Sequence, residues 1–191
     1  MLKTARPAPS DVGPVAARIL HALKDDPEYG RLVDTCGSYN EDWTCTAGTL
    51  TIDRWDIAAD AEPLIEEALR ALALKAAVYE LTDDEESAEL PIARPVDEVL
   101  HAALAQRTLT ERMAQRCRIQ IVHMTDTETD GPAYETGDYT TACYAKAWGQ
   151  EPPARYWIGA EEHARRVKVL DARLQEVGIR DLGHRHAITF N

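Results

Sequence analysis

Apolar residues recur at three- and four-residue steps in four stretches of the chain, which is the spacing of one face of an α-helix. The stretches cover about 11–24, 61–80, 96–117 and 160–177. Ser10 and Asp11 are suitable N-caps for the first helix. Thr108-x-x-Glu111 has the form of a capping box and predicts that the third helix restarts after a short break. Gly178 fits the position that follows the end of the last helix.

Other segments are rich in β-branched and aromatic residues or alternate apolar with polar positions, as strands do. They lie at 31–56, 118–125, 155–158 and 186–190. The first contains turn-forming residues between its apolar runs and predicts a small hairpin or meander. Residues 139–148 fit a helix or a strand. Helices interleaved with short strands predict an α+β fold of about four to five helices with a small, mostly antiparallel sheet.

The polar segments predict how the chain is divided. Residues 1–10 contain prolines and lack periodicity, so we expect a flexible lead there. Residues 11–191 are predicted to form a single compact domain. Within that domain, 82–89 is acidic and polar and is followed by Pro91 and Pro95, which predicts a loop or linker over 82–95.

Length and composition limit the class of protein. A chain of 191 residues with 45% hydrophobic residues suffices for one ordinary domain with a core. No run approaches the ~20 apolar residues of a membrane span, and the first residues lack the apolar run of a signal peptide. The four cysteines are too sparse for a disulfide framework. We therefore expect a cytoplasmic protein without membrane association, and the excess of Arg over Lys indicates a bacterial or phage origin.

The net charge is −12, and the charge is unevenly distributed. Residues 1–95 carry 9 basic and 19 acidic side chains, whereas residues 96–191 carry 12 basic and 14 acidic side chains. Such acidity argues against a protein whose main task is to bind a phosphate backbone, because that task requires clustered positive charge. The acidic first half either offers a face to a basic partner or simply keeps the protein in solution.

One segment combines carboxylates in a pattern suited to a divalent cation. Asp126, Glu128, Asp130 and Gly131 directly follow the strand-like segment at 118–125. Carboxylates at alternate positions can direct several oxygens at one point, as Mg²⁺, Mn²⁺ or Ca²⁺ requires. These residues occupy positions one, three, five and six of a calcium loop of the EF-hand type, although position twelve is Gly137. The alternative is an acidic turn built from ordinary loop-forming residues.

The same residues resemble the first motif of the proofreading 3′–5′ exonucleases of the DEDD class. In that family, the residues that match Asp126 and Glu128 hold two metal ions, which activate water and stabilise the leaving oxygen. The resemblance covers about ten residues. It implies a metal-dependent nuclease or phosphoesterase, and only under this hypothesis do we expect nucleic acid as a partner.

Thiols and imidazoles offer a second route to a metal site. Cys36 and Cys45 flank a predicted turn and could bind zinc with two further ligands from Cys117, His123 or Cys143. No C-x-x-C pair is present, and four unrelated structural thiols are the simpler explanation.

Aromatic residues are concentrated between positions 134 and 157, where six of the twelve lie. Tyr, Trp and Arg anchor interfaces, although large aromatic residues are also the usual material of a core. The residues that we predict to contact a partner are Tyr139, Tyr144, Trp148, Arg155, Tyr156 and Trp157.

The sequence therefore predicts a non-enzymatic, acidic accessory protein that binds another macromolecule or self-associates as an assembly subunit. The alternative is a divalent-metal-dependent nuclease or phosphoesterase that uses Asp126, Glu128 and Asp130.

Overall fold

A computed structural model describes residues 5–38, 49–124 and 133–183, and every regular element in these ranges is helical. The α-helices, numbered in chain order, are α1 (Pro9–Lys24), α2 (Tyr29–Ser38), α3 (Ile57–Thr82), α4 (Glu85–Ala88), α5 (Arg94–Ala105), α6 (Arg107–Cys117), α7 (Tyr139–Trp148) and α8 (Ala160–Glu176). Single 3₁₀ turns lie at Thr49–Thr51 and Asp181–Gly183.

The prediction of an α+β fold with an antiparallel sheet is wrong, since no strand occurs in the three described ranges. The helices form a single compact domain. Part of the predicted 31–56 hairpin is α2, in which Leu32 and Cys36 share one buried face at a four-residue step. Burial of that face outweighs the strand preference of the surrounding residues. Residues 39–48 of that hairpin, and the strand predicted at 186–190, lie outside the described residues.

Two further segments predicted as strands form irregular chain. Arg118 takes a left-handed conformation, with φ of 55°, and ends α6; the following residues reach position 124 without regular structure. Residues 154–156 form a turn, in which the backbone N–H groups of Tyr156 and Trp157 bond to the Pro153 carbonyl at 2.9 and 3.0 Å. A strand requires a neighbouring strand for its hydrogen bonds, and neither segment has one among the described residues.

The helices predicted from apolar periodicity are confirmed as α1, α3, the pair α5 and α6, and α8. The predicted break in the third stretch falls at Gln106, so α6 begins one residue before the expected capping box. Residues 139–148, which fitted either structure, form α7. Asp138 caps this helix, because its Oδ1 accepts a hydrogen bond from the Thr141 N–H at 2.9 Å.

The central helix of the domain is α3, which runs for 26 residues and packs mainly against α1, α5 and the short α4. Small side chains along α3 let these neighbours approach closely; the buried alanines are Ala68, Ala71, Ala73, Ala76 and Ala77. Between them, Leu64, Leu69 and Leu74 are fully buried, and each contributes about 1.5–3 kcal/mol through removal of its side chain from water. No helix within the described residues combines the length and apolarity needed to cross a bilayer.

The most extensive contact of α1 is with α7, and Gly13 lies within it against Lys146. A β-carbon added to Gly13 would lie 2.6 Å from the carbonyl carbon of Lys146 and 2.8 Å from its carbonyl oxygen. The absence of a side chain at Gly13 therefore lets the two helix backbones touch.

The acidic segment after α3 lies against the helices. Asp83, with φ of 52°, ends α3 in a left-handed turn, and α4 follows immediately. Ala88 and Leu90 are buried, and Arg6 donates hydrogen bonds to the carbonyls of Ser87 and Glu89, both at 3.0 Å. The 82–95 segment thus includes a helical turn and contacts with the core, and it positions Glu89 beside α3.

The last helix, α8, lies on the outside of the domain. None of its 17 residues is buried, although Val167, Leu170 and Leu174 form a half-buried stripe. It contacts the 3₁₀ turn at Thr49–Thr51, where Arg166 donates a hydrogen bond to the Thr51 carbonyl at 2.8 Å. Val169 on α8 is 51% exposed, and Val177 just after the helix is 73% exposed.

Candidate metal centre

Three of the six residues predicted to contact a partner lie in the core. The side chains of Tyr144, Tyr156 and Trp157 are buried, and the rings of Tyr144 and Trp157 meet edge to face with centroids 5.6 Å apart. Tyr139 and Trp148 on α7 are half-buried against the same core. These aromatic residues hold α7 and the turn at 154–156 against α3, and their contact with a partner stays a prediction.

Arg155, the sixth of these residues, pairs with Asp60 on α3. Its guanidinium donates hydrogen bonds to Asp60 Oδ1 at 2.7 Å and to Oδ2 at 2.8 Å, and the Tyr156 hydroxyl donates to Oδ1 at 2.9 Å. The hydrogen bond from Arg155 lowers the pKa of the buried Asp60 carboxyl. Arg155 therefore forms an ion pair within the domain, which stabilises the charged form of Asp60.

A second buried carboxylate, Glu67 of α3, joins α3 to α7 and to the turn at 154–156. The Tyr144 hydroxyl lies 3.1 and 3.0 Å from the two oxygens of Glu67, and Trp157 Nε1 donates to Oε2 at 2.8 Å. Arg70 Nη1 donates to Oε1 at 2.9 Å. Burial raises the pKa of Glu67, while the bond from Trp157 and the charge of Arg70 oppose that rise. Since Tyr144 and Trp157 are buried in the core and Arg70 is only 16% exposed, we assign the cluster a structural role.

The three carboxylates predicted to bind a metal ion, Asp126, Glu128 and Asp130, lie outside the described residues. Binding of Mg²⁺, Mn²⁺ or Ca²⁺ at this loop stays a prediction. The nuclease or phosphoesterase hypothesis depends on the same residues and also stays a prediction.

The cysteines of the described residues lie on three different helices. Cys36 is on α2, Cys117 ends α6 and Cys143 is on α7, and all three are free thiols. Burial raises the pKa of Cys36 to about 12 and that of Cys143 to about 11, so both thiols are protonated at neutral pH. This environment suits structural cysteines and disfavours a nucleophile. Cys45 lies outside the described residues, so a zinc site built on Cys36 and Cys45 stays a prediction.

One group of side chains in the described residues has the spacing of a metal site: Asp97, His101 and His123. One ligand atom from each of the three lies within 4.8 Å of the other two. Asp97 and His101 are one turn apart on α5, so the helix presents both on one face. His123 comes from the irregular chain after α6.

The group is partly shielded from solvent. Asp97 is buried, and the two histidines are half-buried. The rings of His101 and His123 lie edge to face, with centroids 4.7 Å apart and an interplanar angle of 66°. Packing between the rings restricts their rotation, and such restriction is what a site needs to hold its ligands near the bound geometry.

Lys75 and Glu89 border the group on the side of α3. Lys75 Nζ lies 3.2 Å from His123 Nδ1 and forms an ion pair with Glu89. The second oxygen of Glu89 accepts a hydrogen bond from the Met124 N–H at 3.0 Å, which fixes the backbone beside His123. Burial of the ring, together with the charges of Lys75 and His101, lowers the pKa of His123 to about 3. His123 is therefore neutral at neutral pH, as a metal-binding imidazole must be.

Of the three residues, the sequence indicated His123 as a candidate ligand but neither Asp97 nor His101. It named His123 as a candidate zinc ligand, but in combination with cysteines. The four-residue step from Asp97 to His101 on a predicted helix indicates that the two side chains lie close together, because residues at this spacing share a helix face. No pattern in the sequence indicates that His123 lies beside that face, since the contact depends on how the chain after α6 folds back.

Comparison with known proteins does not assign the chain to a family. No protein-family model, no curated protein and no solved structure matches it. The functional assignment therefore depends on the chemistry of the described side chains, among which Asp97, His101 and His123 offer the most specific arrangement.

Proposed function

We propose that this chain is an accessory protein that binds a divalent transition-metal ion, of the type represented by Zn²⁺, at Asp97, His101 and His123. The observation that supports the proposal is the approach of three ligand atoms, from α5 and from the chain after α6, to within 4.8 Å of one another. Ligand atoms about 2.0–2.1 Å from a tetrahedral ion are separated by roughly 3.4 Å. The three ligand atoms must therefore move closer together when an ion binds.

The ligand types favour zinc or its neighbours over magnesium and calcium. Two imidazole nitrogens and one carboxylate oxygen form a set that Zn²⁺, Co²⁺ and Ni²⁺ bind well, whereas Mg²⁺ and Ca²⁺ prefer oxygen ligands throughout. The centre therefore differs in metal preference from the acidic residues Asp126, Glu128 and Asp130, for which we predict Mg²⁺, Mn²⁺ or Ca²⁺. A metal titration can separate the two sites.

We expect His101→Ala to weaken zinc binding at least ~10–100-fold, because loss of a ligand costs no less than loss of an outer-shell partner. The measurement is competition for Zn²⁺ against a chelating dye, with Co²⁺ absorption as a report on the ligand field. His21→Ala is the matched control, since His21 is exposed on α1 and pairs with Asp25. Zinc binding by His101→Ala at the affinity of the unmodified protein would contradict the proposal.

A second variant keeps this test specific. The triple substitution of Asp126, Glu128 and Asp130 by Asn, Gln and Asn removes the charges of the acidic loop and leaves the histidine group intact. If zinc binds at Asp97, His101 and His123, the triple variant retains zinc affinity and loses any binding of Ca²⁺ or Mn²⁺. Loss of zinc binding in the triple variant, with unchanged zinc binding in His101→Ala, would mean that zinc binds at the acidic loop.

A second function, self-association as an assembly subunit, is favoured by the exposure of α8. This helix buries none of its residues, and Val169 and Val177 are two of the three large apolar side chains that are exposed among the described residues. An antiparallel pair of α8 helices from two copies would bring the exposed apolar side chains of the two helices together.

We expect Val169→Glu to shift sedimentation from dimer toward monomer at micromolar concentration, because it places a charge in the apolar part of such a pair. Leu81→Glu on α3 is the control: Leu81 is 42% exposed, so the substitution adds the same charge at an exposed apolar position of another helix. Equal sedimentation coefficients for the unmodified protein and for Val169→Glu would remove α8 as a self-association surface.

A further inference from the structure

We infer that Lys75 sets the affinity of the candidate metal centre by competing with the ion for His123. This inference rests on the proposed function and concerns the regulation of the same site. Lys75 lies on α3, opposite the helix that carries Asp97 and His101, and only 1% of its side chain is exposed. A cation this deeply buried is unusual, and it lies in direct contact with one of the three ligands.

The hydrogen bond between Lys75 and His123 restricts the histidine. An ammonium group offers only donors, so at 3.2 Å from Lys75 Nζ the Nδ1 atom of His123 is the acceptor. In a neutral imidazole the other nitrogen, Nε2, then carries the hydrogen. A metal ion needs the lone pair of one of these nitrogens. Coordination through Nδ1 would displace Lys75 directly, and coordination through Nε2 would require Nδ1 to turn from acceptor to donor.

The charge of Lys75 acts in the same direction. A buried ammonium beside the ligand group repels a divalent ion, and the low polarity of the interior strengthens that repulsion. Glu89 balances the charge of Lys75, and it also holds the Met124 backbone. Ion loading must therefore separate Lys75 from His123, while Glu89 remains to hold the lysine away.

Removal of the Lys75 ammonium would remove the charge that opposes binding of a metal ion by His123. With the ammonium absent, the Glu89 carboxylate beside the His123 segment loses its counter-charge, and the added negative charge near the ligand group favours a divalent ion. Lys75→Met keeps the length and apolar stem of the side chain without its charge. The variant thus separates the effect of the ammonium from the effect of packing.

The test is zinc affinity, measured by dye competition, in three folded variants whose helicity is checked by circular dichroism. We expect Lys75→Met to bind Zn²⁺ at least tenfold more tightly than the unmodified protein. Glu89→Gln keeps the ammonium and removes its counter-charge, so we expect it to bind Zn²⁺ at least threefold more weakly. Lys24→Met removes an equal charge from a partly exposed pair with Glu66, and its affinity should stay within twofold of the unmodified protein.

The outcomes distinguish this inference from the proposal on which it rests. If zinc binding depends on His101, and Lys75→Met binds zinc no more tightly than the unmodified protein, the role of Lys75 is wrong. The proposed metal site is not affected by that result. If Lys75→Met does not fold, unchanged or tighter binding in Glu89→Gln overturns the same role. No zinc binding in any of these proteins contradicts both statements.

Discussion

Gly13→Ala is expected to lower the free energy of unfolding by about 3 kcal/mol, although alanine is the better helix former. A β-carbon at Gly13 would lie 2.6 Å from the carbonyl carbon of Lys146, and backbone atoms cannot rotate out of its path as a flexible side chain can. The two helices must therefore move apart at the most extensive helix–helix contact of the domain. Chemical denaturation in urea, followed by far-ultraviolet circular dichroism, measures the loss.

Gly30→Ala is the matched control for this substitution. Gly30 lies on α2, and a β-carbon added there meets no other atom within 4 Å. We expect this variant to gain up to about 1 kcal/mol of stability, because alanine loses less backbone entropy than glycine when it joins a helix. Equal stability changes in the two variants would show that the helix pair can separate at Gly13 without cost.

The helices that sequence analysis predicted correctly are the ones whose apolar positions repeat over many turns. α3 and α8 each show this repeat for four turns or more, and such a pattern suits no other element. α2 is only 10 residues long, and Thr35, Val33 and the turn-forming residues after it favour a strand by propensity. Its helical state depends on burial of Leu32 and Cys36 against the domain, and propensity does not report burial.

The fold shows that part of the acidity of residues 1–95 is neutralised by arginines from the second half of the chain. The excess of acid in residues 1–95 suggested an acidic face, yet several of these acids pair with arginines from the second half. Arg116 donates hydrogen bonds to Asp26, and these lower the pKa of Asp26; Arg155 does the same for Asp60. Part of the charge difference between the halves therefore forms internal ion pairs that join them.

The candidate metal centre also depends on contacts between distant segments, which a local sequence pattern does not predict. A helix pattern can place Asp97 beside His101, because four residues make one turn. It cannot bring His123 to them, and it cannot show that Lys75 of α3 contacts that histidine. Lys75 is visible in the sequence only as a lone charge in an apolar run, and its function there becomes apparent from its partners.

Glu67→Ala is expected to destabilise the domain by about 2–4 kcal/mol, because each buried donor left without its acceptor costs about 1–3 kcal/mol. The substitution leaves Tyr144, Trp157 and Arg70 without the acceptor that they share in the core. Urea denaturation should therefore show a much lower midpoint. The fluorescence of the tryptophans should also change in the folded state, because Trp157 Nε1 loses its bond to Glu67.

The neighbouring residue Glu66 provides the control, because it makes similar ion pairs in a different environment. Glu66 pairs with Arg70 and Lys24, but 35% of its side chain is exposed, so Glu66→Ala should cost no more than about 1 kcal/mol. Tyr144→Phe tests the network itself. Its cost should be clearly smaller in the Glu67→Ala background than in the unmodified protein, since the hydroxyl has already lost its acceptor. Additive effects of Glu67→Ala and Tyr144→Phe would mean that the two groups stabilise the domain independently, in spite of the hydrogen bonds between them.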